Sequence, residues 1–260
     1  MPQRLDEAVA AKTGMTRSQA RSLIMEGRVR VNGAPATKAG QNVRADAEIV
    51  VAQPRRFVSR GGEKLEHALV AFGIDVAGAR ALDVGASTGG FTDCLLQRGA
   101  RCVVSIDVGY GQLDWRLRND PRVVTMERTN FRHLGDDAFD EPFSIVVIDT
   151  SFISLRTILA RAVGFCSEDG AIVALVKPQF EAGRERLGPG GVVRDAAVHR
   201  AVLAEVRDAA TALDLATVAL VASPLLGPAG NREFLIELRR GGSAIDDERI
   251  AAVVGESPSA

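Results

Sequence analysis

The stretch ALDVGASTGGFTD, Ala81 to Asp93, carries a short apolar run into Gly85, then a tight run of Ala, Ser, Thr and two glycines, then a helix-forming segment. A strand feeding a Gly-rich turn and a helix places a nucleotide-like ligand across the turn. The dinucleotide spacing G-x-G-x-x-G is broken here, because Ser87 stands where the second glycine belongs. That glycine lets the backbone approach a pyrophosphate. The stretch therefore predicts a nucleotide ligand that has no pyrophosphate.

Around it, short β-branched runs alternate with longer helical stretches. The runs fall at 80–84, 101–106, 122–126, 144–149, 170–176, 216–222 and 233–238. Such alternation predicts an α/β fold, a Rossmann-like domain whose seven-stranded, mostly parallel sheet is covered by helices. Ligands bind these sheets at the carboxyl ends of the strands, so the residues just past each run matter most. Asp83 ends the first run, and Gly85, Gly89 and Gly90 permit the turn. Asp107 ends the second, about 20 residues further on, where a carboxylate can accept both ribose hydroxyls. Asn130 follows the third. A carboxylate for an amino group, a Gly turn for an amino-acid tail and a carboxylate for a ribose describe S-adenosylmethionine, an adenosine without phosphate. The expected cofactor contacts are Asp83, Gly85, Ser87, Thr88, Gly89, Gly90, Phe91, Asp107 and Asn130.

Four further residues occupy positions where packing alone would choose otherwise. Lys64 follows SRGGE, Asp149 ends the apolar run IVVID, Lys177 ends AIVALVK, and Glu233 begins the last run. A lysine at the buried end of a parallel strand is costly unless it is paired or working. Transfer of a methyl group to a ribose 2′-hydroxyl needs such a set, because the hydroxyl must lose its proton near neutral pH. Lys177 is the expected base or hydroxyl holder. Lys64 is the neighbouring cation that favours a neutral Lys177, and Asp149 and Glu233 orient the two lysines.

The first 60 residues carry 11 basic and 5 acidic side chains, whereas the chain as a whole has a net charge of −1. A basic front end on an acidic body suits contact with a polyanion. Residues 4–13 space apolar side chains for a short helix ending at Gly14. Thr16 and Gln19 form a capping box for a second helix, TRSQARSLIME, closed by Gly27. Arg17 and Arg21 share its outward face. VRVNG turns at Asn32-Gly33, a hairpin signal, and NVRADAEIVV reads as one closing strand. This pattern resembles the small S4-type RNA-binding domain over about residues 3–51, which implies contact with structured RNA through Arg4, Arg17, Arg21, Arg28, Arg30 and Lys38. The loop 181–194, with Arg184 and Arg186 close after Lys177, reads as an RNA-contacting lid.

The expected organisation is an S4-type domain over 1–52, a basic linker over 53–62 containing Pro54, Gly61 and Gly62, a catalytic domain over 63–242, and a tail over 243–260. The tail is weakly helical around DDERIAAVV and is given no chemistry. Cys94, Cys102 and Cys166 show no paired spacing and read as core residues in a reducing compartment. His67, His133 and His199 lack a ligand neighbour four residues on, so no metal is expected. The absence of a signal-like start and of any long apolar run predicts a cytoplasmic protein without membrane insertion, and a monomer.

The motifs VSRGGEKL, DVGASTGGFTDCLL, DVGYGQL, ERTN, DTSFISL, VKPQFEAGRE, GGVVRD and GNREF together resemble the TlyA family across nearly the whole chain. Its members join an S4-type domain to an FtsJ-like methyltransferase domain and are often labelled haemolysins. The resemblance implies 2′-O-methylation of cytidine in ribosomal RNA of the small subunit, the large subunit or both, with S-adenosylmethionine as donor. It also places a catalytic tetrad on Lys64, Asp149, Lys177 and Glu233. Two alternatives belong to other classes. A non-catalytic ribosome-assembly factor would bind ribosomal RNA yet transfer no methyl group, and a membrane-active haemolysin would release liposome contents without cofactor or RNA.

Overall fold

The computed structural model describes residues 2–25, 27–52 and 56–256. The chain divides into two compact units, Met1–Arg55 and Arg56–Ala260. Pro54 of the expected linker and the last four residues of the expected tail lie outside the described residues.

The first unit contains β1 (Gln3–Arg4), α1 (Leu5–Thr13), α2 (Arg17–Met25), β2 (Val29–Val31), β3 (Ala34–Pro35), β4 (Asn42–Val43) and β5 (Ile49–Val51). The capping box forms as the sequence predicts. The Thr16 amide donates to Gln19 Oε1 at 2.9 Å, and the Gln19 amide donates to Thr16 Oγ1 at 3.3 Å. The hairpin at Asn32-Gly33 joins β2 to β3, and β5 pairs with the other edge of β2. The single closing strand expected over 42–51 is instead two strands on two sheets. β4 pairs with β1 and β5 with β2. Between them the chain turns, with the Arg44 guanidinium gripping the Asp46 carboxylate at 2.9 Å and the Ala47 amide donating to the Arg44 carbonyl. Leu5, Val9, Ile24 and Val29 form the centre of this small core.

The second unit begins with α3 (Arg60–Phe72) and β6 (Arg80–Val84), then α4 (Gly90–Gln97), β7 (Cys102–Ile106), α5 (Trp115–Arg118) and β8 (Val123–Met126). It continues through β9 (Phe143–Ile148), α6 (Leu155–Phe165), β10 (Cys166–Val176), α7 (Pro178–Glu181) and α8 (Ala196–Thr211), and closes with β11 (Leu215–Ala222), β12 (Phe234–Arg240) and α9 (Asp247–Gly255). One seven-stranded sheet runs in the order β11-β12-β10-β9-β6-β7-β8. The strands from β10 to β8 are parallel, and β12 runs antiparallel to both of its neighbours. Side chains alternate between two cores, as the two-residue period of a strand requires. Val146 and Ile148 of β9 join one core, while Ile145 and Val147 join the other.

Two expected boundaries move. Gly61 and Gly62 are not linker but the first turn of α3, capped by Ser59, whose Oγ accepts from the Gly61 amide at 3.3 Å. Their smallness serves packing. A Cβ on Gly62 would come within 2.3 Å of the Phe57 ring, and one on Gly90 would come within 2.9 Å of the Gly62 amide nitrogen. The start of α4 therefore rests directly on the start of α3. The expected tail contains α9, which packs on α8 and buries Ile250, Val253 and Val254 in the main core.

Candidate active site

Sheet register brings three of the four predicted polar residues, Asp149, Lys177 and Glu233, to one edge together with Gly85, and Lys64 reaches them from α3. Val84 pairs with Ile148, and Val176 pairs with Phe234, so Gly85, Asp149, Lys177 and Glu233 each stand one residue beyond a paired position. β12 runs antiparallel, and its first residues therefore lie at the carboxyl ends of the parallel strands. Lys177 Nζ lies 2.6 Å from Asp149 Oδ1 and donates to Ser151 Oγ at 2.9 Å. Lys64, from α3, donates to Glu233 Oε2 at 2.5 Å. Both members of this second pair are buried, at 6% and 2% exposure. Each lysine has its own carboxylate. Lys177 is thus paired with Asp149 and Lys64 with Glu233, the two carboxylates that the sequence reading set beside the lysines.

A cavity of about 450 Å³ opens on the same edge. Of the residues expected to contact the cofactor, Gly85, Ser87, Asp107 and Asn130 line it, joined by Asp149, Thr129 and Phe152. Gly85 has φ +88°, and a Cβ there would sit 2.8 Å from the Asp149 carbonyl oxygen. The turn can pass this close to the neighbouring strand only because the side chain is missing. Ser87 takes φ +49° despite its Cβ. Its amide donates to Asp107 Oδ2 at 2.7 Å, and the Gly109 amide donates to Oδ1 at the same distance. Each Asp107 oxygen keeps a further lone pair for a ligand hydroxyl.

The remaining expected cofactor residues lie elsewhere. Thr88 is exposed outside the cavity lining, and Phe91 is a core residue at 2% exposure. Gly89 and Gly90 are packing positions, the first beneath Leu113 and Leu117 and the second against the start of α3. Asp83 is fully buried beneath the turn and does not line the cavity. Its Oδ2 accepts the Thr92 hydroxyl at 2.6 Å, while Oδ1 has no partner among the described residues. Burial pushes its carboxyl up to about 7 against the Thr92 hydrogen bond, and the charge of Asp149 adds to the rise. The sequence reading missed Phe152. This residue is 91% exposed at the cavity, with φ +64°, a backbone state that a bulky side chain rarely takes. Its place in TSFIS, directly after a catalytic-edge carboxylate, was the available signal.

With that geometry in view, comparison with known proteins is decisive. The FtsJ-like methyltransferase family matches residues 57–240, and the S4 domain matches residues 3–49. The 16S/23S rRNA (cytidine-2′-O)-methyltransferase TlyA of Mycobacterium tuberculosis is 52% identical over 90% of this chain and 88% of its own. The chain belongs to the TlyA family of FtsJ-like methyltransferases. Hemolysin A of Brachyspira hyodysenteriae is 42% identical over 89% of this chain and 98% of its own. A solved hemolysin-named chain from Streptococcus thermophilus, 41% identical, superposes with a TM-score of 0.75 over 97% of this chain and 94% of that one.

In this TlyA-family chain the predicted RNA-binding arginines divide into two sorts. Arg17 is an internal clamp, with Nε 3.1 Å from the buried Asp6 and Nη1 2.9 Å from Glu7. Arg4 also holds Asp6, at 3.0 Å, and this guanidinium is the main reason the Asp6 carboxyl sits at about 2. Arg21 and Lys38 are exposed, with no ion pair among the described residues. Arg28 donates to the Ala52 carbonyl and Arg30 to that of Gly33, so both are partly engaged in holding their own sheet. The loop 181–194 is pinned rather than free. Arg186 pairs with Glu205 at 2.9 Å, and the Val193 amide donates to the buried Asn231 side chain. Arg184 stays exposed. Among the described residues no helix is long and apolar enough to cross a membrane.

Proposed function

We propose that this methyltransferase uses S-adenosylmethionine to methylate the ribose 2′-hydroxyl of cytidine in ribosomal RNA. The observation that carries the reading is the pair Lys177–Asp149, with Asp149 in the cavity lining, together with a second pair, Lys64–Glu233, at the start of β12 on the same end of the sheet. The cavity chemistry suits this cofactor. Its lining holds the carboxylates of Asp107 and Asp149 with Arg132 as the sole basic side chain, a set that favours a cationic adenosine compound over a pyrophosphate. Asp107 would hold the ribose, and Gly85 and Ser87 would face the amino-acid tail, with Asp83 buried beneath them on the Thr92 hydroxyl. When bound, S-adenosylmethionine supplies an electrophilic methyl group.

The chain's own residues handle the hydroxyl. Lys177 holds the 2′-oxygen in line and, in its neutral amine form, takes the hydroxyl proton onto Nζ, and Asp149 pairs with the ammonium that results. Glu233 keeps Lys64 in place beside the acceptor. Phe152, exposed at the rim and 5.1 Å from the Phe180 ring, offers an aromatic face to a base lifted out of the RNA. The S4 unit supplies electrostatic affinity for structured RNA, with Arg21 and Lys38 as its free cations, so ribosomal subunits are the partners this reading implies. Purified protein, labelled donor and ribosomal subunits provide the test. Labelled cytidine 2′-O-methyl in the digested rRNA is expected, and its absence with both subunits overturns the reading.

A further inference from the structure

The short helix α7 begins directly after Lys177 and ends on Glu181. The Glu181 side chain is 3% exposed, and neither oxygen is spent on its own loop. Oε1 accepts the Leu155 amide at 2.7 Å, and Oε2 accepts the Ser154 hydroxyl at 2.6 Å, with Arg156 Nε 3.6 Å away. All three partners belong to the segment that follows Asp149. Ser154 is the residue before α6, yet its own hydroxyl makes no capping bond. The cap comes instead from a carboxylate on the neighbouring loop, where an anion suits the free amides and positive end of a helix.

This arrangement ties together the two loops that carry Asp149 and Lys177. Ser154 lies five positions after Asp149, and Glu181 four positions after Lys177. The ion pair closes one end of this short bracket and the Glu181 bonds close the other, with the Phe152 and Phe180 rings in contact between them. The Phe152 backbone lies in the left-handed region, a state that persists only where the surroundings over-determine it. The carboxylate of Glu181 is the buried polar anchor of that over-determination.

We propose that Glu181 is a positioning residue for methyl transfer, holding the loop 149–154 against α7 so that Asp149 meets Lys177. The inference rests on the reading of Lys177 as the residue that handles the hydroxyl proton. A carboxylate that merely capped α6 would set stability and leave the chemical step alone. A positioning carboxylate sets the rate of the bound complex, since a displacement of about 1 Å at reacting groups can cost on the order of a hundredfold.

The test uses the full chain with Glu181→Ala, Glu181→Gln and Glu181→Asp, read by single-turnover methyl transfer at saturating cofactor and ribosomal subunits, by the KM for the subunits and by thermal midpoint. Glu181→Ala is expected to slow the single turnover by up to about 100-fold, the cost of a misplacement of about 1 Å at reacting groups, with a KM close to wild type. Glu181→Gln keeps an acceptor for the Leu155 amide and is expected to restore most of the rate. Should Glu181→Ala fail to fold, Glu181→Asp carries the same test, because it keeps the charge but shortens the reach by one methylene. A wild-type single-turnover rate in Glu181→Ala or Glu181→Asp, whatever the thermal midpoint, reduces Glu181 to a cap and overturns the proposal. Equal slowing by Gln and Ala overturns it too, since charge would then matter more than the tether. A wild-type protein that transfers no methyl group overturns the reading of the reaction, and this inference with it.

Discussion

Lys64 and Glu233 are 169 residues apart in sequence, yet their side chains meet at 2.5 Å in the interior of the catalytic unit. The pair joins α3, which opens that unit, to the first residues of β12, which close the catalytic edge. Removing one member leaves the other charged, buried and unpaired. Lys64→Ala or Glu233→Ala should each cost about 3–5 kcal/mol of stability. The double change Lys64→Met with Glu233→Leu should recover most of that loss without restoring methyl transfer. Urea denaturation alongside a transfer assay checks this, and activity in the double variant would show that the pair is structural only.

If Lys177 handles the hydroxyl proton as proposed, it is the most sensitive position. Lys177→Ala should keep fold and cofactor binding and lose roughly 10²–10⁴-fold in single-turnover rate, the contribution typical of a general base. Lys177→Arg should recover little, because a guanidinium stays protonated. A near-normal rate in the arginine variant would make the residue an electrostatic clamp, with the proton leaving to water.

Asp107 organises the turn, and in the proposed reading it also holds the cofactor ribose. Its two oxygens accept the Ser87 and Gly109 amides, and Ser87 already holds a left-handed backbone. Asp107→Ala should weaken cofactor binding by about 1.5–3 kcal/mol through the lost charge-assisted hydrogen bond. Titration calorimetry without RNA measures this directly, and unchanged affinity would move the cofactor away from β7.

Asp83 gives the cofactor-free protein a pH dependence of defined sign. Its carboxyl stands at about 7 in the fold against 3.8 for the free group, so the folded state holds the proton more tightly. Stability from this group is full below about pH 3.8 and is lost as pH rises through about 7. The loss proceeds at up to about 1.4 kcal/mol per pH unit. Asp83→Asn should flatten the stability profile between pH 5 and 8. Denaturation curves of equal slope for the two proteins would mean that the carboxyl titrates normally.

Arg17 and Arg21 should part company although they share one helix. Arg21→Ala should lower the slope of log RNA affinity against log salt by about one counterion and leave stability alone. Arg17→Ala should instead lower the stability of the first unit, since the buried Asp6 would lose one of its two guanidinium partners and keep only Arg4. Salt titrations and melting of each variant separate the two effects. Equal slopes for both variants would return Arg17 to the RNA surface.

The sequence by itself determined the repeating units of this protein, because their signals are local. Short β-branched runs alternating with longer helical stretches marked the seven strands, and the Thr16–Gln19 capping box and the Asn32-Gly33 turn act over three or four residues. Local signals also placed Asp149, Lys177 and Glu233 at the ends of apolar runs, where an unexplained charge is costly. What a strand lies beside is not local. The order β12-β10-β9-β6 decided that Lys177 meets Asp149, while the packing of α3 decided that Lys64 meets Glu233. Glycines carry no side chain to announce their purpose, so Gly61 and Gly62 read as linker until the approach of Gly90 and Phe57 showed them to be packing surfaces. The division of labour between Arg17 and Arg21 depended on where α1 sets Asp6 and Glu7, and the reach of Glu181 to Ser154 and Leu155 depended on two loops 26 residues apart meeting at the sheet edge.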